Sequence, residues 1–311
     1  MSQPTILQKT LRMKTAVDGV GLHSGKRVRL KLMPAPSDSG LVFVRTDQNR
    51  PVEIPARAEH VVDTRLSTTL GRDGVSLATV EHLVAALVGL GVDNARIEVD
   101  GPEVPILDGS AAPFVRLVLD AGLREQKAPR KVAVVKKTVT VQDGDKTARL
   151  SPASHLSIHC AVDFRHPLIT DQRLSLEVTP RSFVRELATA RTFGFKREVE
   201  YLQSRGFALG GSLENAIVVD DFHILNPDGL RFPDEFVRHK MLDAVGDLAL
   251  AGHPVVGAMH ATKTGHALNH RLVTKLLAEP GAVEIVSLGD VREAKPVPAT
   301  VELPMGGLEL A

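Results

Sequence analysis

The stretch "RFPDEFVRHKMLDAVGDL", residues 231–248, constrains the fold more than any other part of the chain. Phe236, Val237, Met241, Leu242, Ala244, Val245 and Leu248 occupy most of the circumference of a helix, the pattern of a helix with protein on every side. Such a helix requires layers packed around it. Yet His239, Asp243 and Asp247 recur every four residues and form one row along the axis, with the first two side chains about 6 Å apart at their bases. Two carboxylates and an imidazole inside a core must be compensated, and a bound cation is one of the few partners able to do so.

A chain of 311 residues is roughly twice the usual domain size, so two domains are expected. With 38 basic and 37 acidic residues it has no broad cationic face for nucleic acid. Aromatic residues make up only 4% and Trp is absent, so platforms for stacking bases are also unlooked for. Cys160 is the single cysteine, which leaves no disulfide framework and restricts any metal site to His and carboxylate ligands. The longest apolar run, "LVAALVGLGV" at 83–92, is too short to span a bilayer, and the opening residues lack the apolar core of a signal peptide. These features predict a cytoplasmic protein without a membrane span; they leave the oligomeric state open, and a monomer is taken as the favoured one.

Alternating segments such as "KRVRLKL" and "GLVFVRTD" predict strands, and "TVEHLVAALVGLGVDN" predicts a helix with Thr79 as N-cap and Gly89 and Gly91 as its stop. After the helical "GSAAPFVRLVLDAGL", the charged "REQKAPRKVAVVKK" interrupts the pattern. The division is placed there, giving domains 1–126 and 127–311. The second half repeats the order of the first, with strands "KTARLSPAS" and "HLSIHCAVDF" and helices near "TPRSFVRELAT", "REVEYLQSRG" and "ALNHRLVTKLL". Strands mixed with few helices predict α+β layers in each half, consistent with a diverged duplication.

His239 and Asp243 at i, i+4 suit a divalent metal, but an i, i+4 hydrogen-bonded pair reads the same way. "TVEHL" offers His82 in a first helical turn with Glu81 before it. Adjacent helical residues diverge by about 100°, so one can bind metal while the other contacts water, or Glu81 merely caps and His82 lines the core edge. His266 at a strand-to-helix junction is a candidate proton donor with Asp247 behind it, or a capping residue. Thr192 offers one hydroxyl. Lys240 and Lys263 could meet phosphate or simply be solvated. His155, His159, His166 and His270 read as surface residues, and Asp108-Gly109-Ser110 as a structural turn.

Taken together, "TVEHLVAAL", "TARTFGF", "YLQSRGFALGGS", "DGLRFPDEFVRHKMLDAVGDL" and "KTGHALNH" resemble the UDP-3-O-acyl-N-acetylglucosamine deacetylases of lipid A synthesis, in order from about residue 5 to 290. The resemblance implies two similar domains, each a two-layer sandwich of helices on a mostly antiparallel sheet, with the active site between them. It implies one zinc ion held by His82, His239 and Asp243, for which iron(II) is an alternative. Glu81 would be general base on zinc-bound water, His266 general acid with Asp247 behind it, and Thr192 with zinc would hold the oxyanion. It further implies an acyl passage in an insertion of about 193–221, with Phe195 contacting the acyl chain, Phe164 the uridine, and Lys240 and Lys263 the diphosphate of a UDP-linked acylated glucosamine. Ser67 stands where relatives often carry cysteine, which removes a thiolate as accessory ligand. Residues beyond about 290 read as a variable tail. The rival readings are a zinc amidase for another acylated amino sugar and a non-catalytic sugar-nucleotide-binding homologue.

Overall fold

Alternation builds both main sheets. In the strand Arg27–Pro34, Val28, Leu30 and Leu32 are buried while Arg27, Arg29 and Lys31 face water, so one face of the sheet must be covered by another layer. A computed structural model describes residues 6–164 and 166–289. Its first five-stranded sheet has the order Thr15–Val20, Arg27–Pro34, Ala95–Val99, Leu41–Arg45, Val52–Pro55. Its second has the order Val139–Asp143, Lys146–Ser151, Ala258–Thr262, Ser157–Val162, Gln172–Glu177. In each, the strand that comes last in the chain lies in the middle, antiparallel to the second strand and parallel to the third. This shared order is the repeat of element order anticipated from the sequence, and the α+β class holds.

Among the described residues six α-helices complete the layers: α1 (Glu81–Gly89), α2 (Ala112–Ala121), α3 (Pro180–Ser182), α4 (Lys196–Ser204), α5 (Glu235–Ala249) and α6 (His266–Ala278). α1 precedes the central strand of the first sheet and α2 follows it; α5 and α6 stand in the same relation to the second. The three residues of α3 open with a capping box between Thr179 and Ser182 and run on into a π turn, Phe183–Leu187. No helix among the described residues is long and apolar enough to cross a membrane. The proposed division at residues 126 and 127 falls inside the strand Leu123–Pro129, which returns to pair with the strand Leu7–Leu11. The C-terminal tail after about residue 290 lies outside the described residues.

α1 and α5 are the innermost elements. All of α1 except Val88 is buried, as is all of α5 except Arg238, Lys240 and Ala249. They pack on each other within one apolar core that also takes Leu30, Phe43 and Ile97 from the first sheet and Leu150, Ile158 and Met259 from the second. Their close approach depends on glycine: a Cβ at Gly246 of α5 would collide with the backbone carbonyl of Glu81 in α1. Gly246→Ala is therefore expected to lower stability. Overpacking against rigid backbone costs about 1–3 kcal/mol, against a gain of roughly 0.5–1 kcal/mol from alanine's helix propensity. A thermal melt checks this, and a Tm equal to or above that of the parent would show that the two helices can separate freely.

Thr79 is not the N-cap expected of it. Val80 holds that position without a side-chain cap, and Thr79 adopts φ 59°, rare for a β-branched residue. Its hydroxyl donates instead to Glu103 at 2.9 Å, and its N–H donates to Ser67 Oγ at 3.2 Å. Glu103 is buried and also accepts the backbone N–H groups of His23 and Ser24. The bend into α1 is thus held by tertiary bonds that local sequence does not announce.

Candidate metal and acid–base site

Where α1 crosses α5, three buried side chains from the two halves of the chain converge: His82, His239 and Asp243. One potential ligand atom from each lies within 4.8 Å of the others. His82 Nε2 is 3.5 Å and His239 Nε2 is 3.2 Å from Asp243 Oδ1, and the two rings meet edge to face. His239 Nδ1 lies 3.0 Å from the carbonyl of Ala190, which can only accept, so that nitrogen carries a proton. In the neutral imidazole, Nε2 is then a bare lone pair aimed at a carboxylate oxygen. Asp243 Oδ1 is buried without a hydrogen-bond partner, and so is His82 Nδ1. Lone pairs facing one another inside a protein are stabilised by a cation between them, and an imidazole oriented through its far nitrogen is a recurrent arrangement at metal centres. The donor set therefore fits a divalent cation.

The charges follow from burial. Desolvation pulls the His82 pKa down, opposing protonation, as a ligand requires. Burial would raise the Asp243 carboxyl, but positive charge on His239, when a proton rather than a cation lies between the two, and the Lys240 ammonium outweigh it and hold it well below the usual range. Desolvation pushes Glu81 up to about 7, with neighbouring His266 opposing and the Asp243 and Asp247 carboxylates adding to the shift. His266 moves to about 9, because the Asp247 and Glu81 carboxylates more than offset its burial. His266 Nε2 faces Glu81 Oε1 at 3.6 Å and Asp243 Oδ2 at 4.0 Å. Its Nδ1 faces Asp247 Oδ2 at 3.0 Å. A carboxyl and an imidazole, both titratable, thus flank the three-residue cluster.

Thr192 sits next to a strong anchor. Arg191 and Glu235 form a buried ion pair at 2.9 Å, Arg191 N–H also donates to Glu235 Oε1 at 3.0 Å, and Ala190 meets His239, so residues 190–192 are tied to α5. The backbone of Thr192 bonds Gly109 and Ile217. No hydrogen bond among the described residues joins its hydroxyl to the cluster. Gly109 leaves room for the Asn215 carbonyl, which an added Cβ would meet, and Asp108 Oδ1 receives both the N–H and the hydroxyl of Ser110.

Lys240 is not a solvated lysine. Its ammonium donates to Asp243 Oδ2 at 2.9 Å, and its pKa is raised because the Asp243 carboxylate outweighs desolvation. Lys263 pairs with Asp145 at 2.9 Å and Asp163 at 3.1 Å. Both lysines and Phe164 line one open cleft of about 450 Å³. Phe164, Phe193 and Phe195 pack together, and Phe193 bridges to Phe236 of α5. The segment predicted as an insertion contributes two parallel strands, Phe193–Phe195 and Ile217–Val219, joined through α4.

His166 corrects the surface assignment made from sequence: it is buried, with Nε2 2.7 Å from the Asp220 carbonyl and Nδ1 accepting the Leu168 N–H. His159 stacks on His260 and His155 pairs with Glu177. His270 is half-buried with its Nδ1 enclosed and unpartnered. Thr68 and Asn269 escaped sequence reading. Thr68 donates its hydroxyl to Asp247 Oδ1 at 2.6 Å and its N–H to Glu81 Oε2 at 3.1 Å, and Asn269 Nδ2 donates to Asp247 Oδ2 at 2.9 Å. A lone threonine in "TRLSTT" carries no pattern. Asn269 had one available signal, its place one turn after His266 on the same face of α6.

The family model described as UDP-3-O-acyl N-acetylglycosamine deacetylase matches residues 8–278. A UDP-3-O-acyl-N-acetylglucosamine deacetylase of Myxococcus xanthus (strain DK1622) is 62% identical over 90% of this chain and 89% of its own length. One from Anaeromyxobacter dehalogenans (strain 2CP-C) is 57% identical over 94% and 95%. One from Shewanella violacea is 51% identical over 97% and 99%. The match over most of the chain and these identities show that the chain belongs to the UDP-3-O-acyl N-acetylglycosamine deacetylase family.

Proposed function

We propose that the protein hydrolyses the acetamide of a UDP-linked, 3-O-acylated N-acetylglucosamine, releasing acetate in an early step of lipid A synthesis. A nucleotide-linked substrate places that activity in the cytoplasm. The observation that carries this reading is the convergence of Glu81 and His266 on the cluster of His82, His239 and Asp243, since a protein that only binds its ligand needs neither proton-handling group. The three cluster residues would hold one divalent cation, zinc in our reading, with iron(II) compatible with the same donors. When bound, such an ion polarises an amide carbonyl and makes water easier to deprotonate. Glu81, with Oε2 engaged by the Thr68 N–H, takes the proton of the attacking water on Oε1. His266 delivers a proton from Nε2 to the departing nitrogen, without which an amide does not release its amine, and Asp247 holds the ring in place. Thr192, anchored beside α5, donates its hydroxyl to the developing oxyanion.

The cleft lined by Lys240, Lys263 and Phe164 suits a nucleoside diphosphate, two ammonium groups meeting phosphate oxygens and a ring packing on the base. Apolar Phe193, Phe195 and Ile217 in the inserted segment suit the 3-O-acyl chain. Metal content measured by elemental analysis alongside acetate release tests the core of the proposal. Stoichiometric metal, metal-dependent release, and a large loss of kcat/KM for substrate lacking the 3-O-acyl group are expected. Full activity after metal removal would end the reading, and equal turnover without the acyl chain would point to an amidase for another amino sugar.

A further inference from the structure

We infer that Thr68 is the positioning residue that assigns the exchangeable protons of this site, deciding which oxygen of Glu81 and which nitrogen of His266 are free to react. The inference rests on the proposed function for its kinetic consequence, and on hydrogen-bond geometry alone for the proton placement.

Thr68 is fully buried in the loop before the strand Thr69–Arg72 and reaches both halves of the site. A carboxylate can only accept, and Asp247 Oδ1 lies 2.6 Å from the Thr68 hydroxyl, so that hydroxyl spends its one proton there. Toward His266 Nδ1, 3.2 Å away, it then has only a lone pair to offer. Asp247 Oδ2 is the other neighbour of Nδ1, at 3.0 Å, and also accepts. Two acceptors thus face Nδ1, which must carry a proton, and the proton that can be exchanged belongs to Nε2. Asn269 fills the remaining place on Asp247 Oδ2, so the carboxylate is fixed by three donors. The Thr68 N–H meanwhile holds Glu81 Oε2 at 3.1 Å and leaves Oε1 turned toward His266 Nε2. Without the hydroxyl, Asp247 would keep a buried oxygen lacking a donor and would rotate to find one, taking the imidazole with it.

The test compares Thr68→Val, which keeps shape and N–H, with Thr68→Ser, which restores the hydroxyl. Metal content and KM are expected to stay close to the parent in both. In Thr68→Val, kcat should fall by about 10- to 100-fold, the usual consequence of removing a group that orients a site residue, and Thr68→Ser should recover most of it. Nitrogen-15 NMR of the metal-free proteins reads the imidazole directly. Neutral His266 in the parent and in Thr68→Ser should show a single Nδ1–H tautomer, replaced in Thr68→Val by exchange-broadened or mixed signals. Unchanged kcat in Thr68→Val, equal loss in both variants, or an Nε2–H tautomer in the parent would overturn the inference. Should the parent not hydrolyse the substrate, the proposed function fails while the nitrogen spectra still decide the role of Thr68. If Thr68→Val does not fold, Thr68→Ala carries the same comparison.

Discussion

His82→Ala is expected to lose the bound cation and, with it, hydrolysis. Removing a residue that merely orients a metal ligand typically lowers metal affinity about 10- to 100-fold, so deleting a ligand should exceed that range. His82 is the only one of the three candidate ligands contributed by the first half of the chain, and its Nε2 lies 3.5 Å from Asp243 Oδ1. Without it the pair on α5 remains, and two donors one turn apart make a far weaker site. Thermal melts give a second measure. A cation that binds only the folded protein stabilises it by about 2.7 kcal/mol at a concentration a hundred times its Kd. The parent should therefore gain Tm on adding zinc, and His82→Ala should gain little. A variant that retains stoichiometric metal and full turnover would refute the three-ligand site.

Glu81→Ala should do the opposite on one axis and the same on the other: metal retained, hydrolysis lost. General bases contribute roughly 10²–10⁴-fold to rate, and the fall should appear in kcat with KM little changed. The distinction is physical. Adjacent positions on α1 point about 100° apart, so His82 turns into the cluster while Glu81 faces His266 at 3.6 Å. Glu81→Gln refines the experiment, because the amide still accepts the Thr68 N–H yet cannot take a proton. Normal acetate release by Glu81→Ala would remove this residue from the role of base.

Much of the site was legible because its main parts are periodic or charged. His239, Asp243 and Asp247 share a helix face, and a polar row on an otherwise apolar helix declares itself. The α+β class followed from alternation in strands such as Arg27–Pro34 and from helices bounded by glycine. What escaped was held by contacts between distant residues. Thr79 has the composition of an N-cap, yet Glu103, twenty-four positions away, captures its hydroxyl and turns its backbone to φ 59°. His166 looked like a surface residue because nothing nearby shows that Asp220, in the inserted segment, supplies a carbonyl to it. Thr68 was invisible, since its partners lie 13, 179 and 198 positions away.

Sequence alone determined which elements form and which faces are buried, because side-chain periodicity and hydrophobicity are local properties of each helix and strand. It also determined that α5 carries charge into a core and so demands compensation. Only the tertiary structure decided what supplies it, bringing α1 against α5 through the glycine at 246 and setting His82 opposite His239 and Asp243. It likewise decided the hydrogen bonds around the titratable groups, since Asp247 takes donors from Thr68 and Asn269, and Glu81 takes one from Thr68. The physical reason is one of range. Desolvation and hydrogen-bond direction depend on what surrounds a group in space, and for these residues most of the surroundings come from remote parts of the chain.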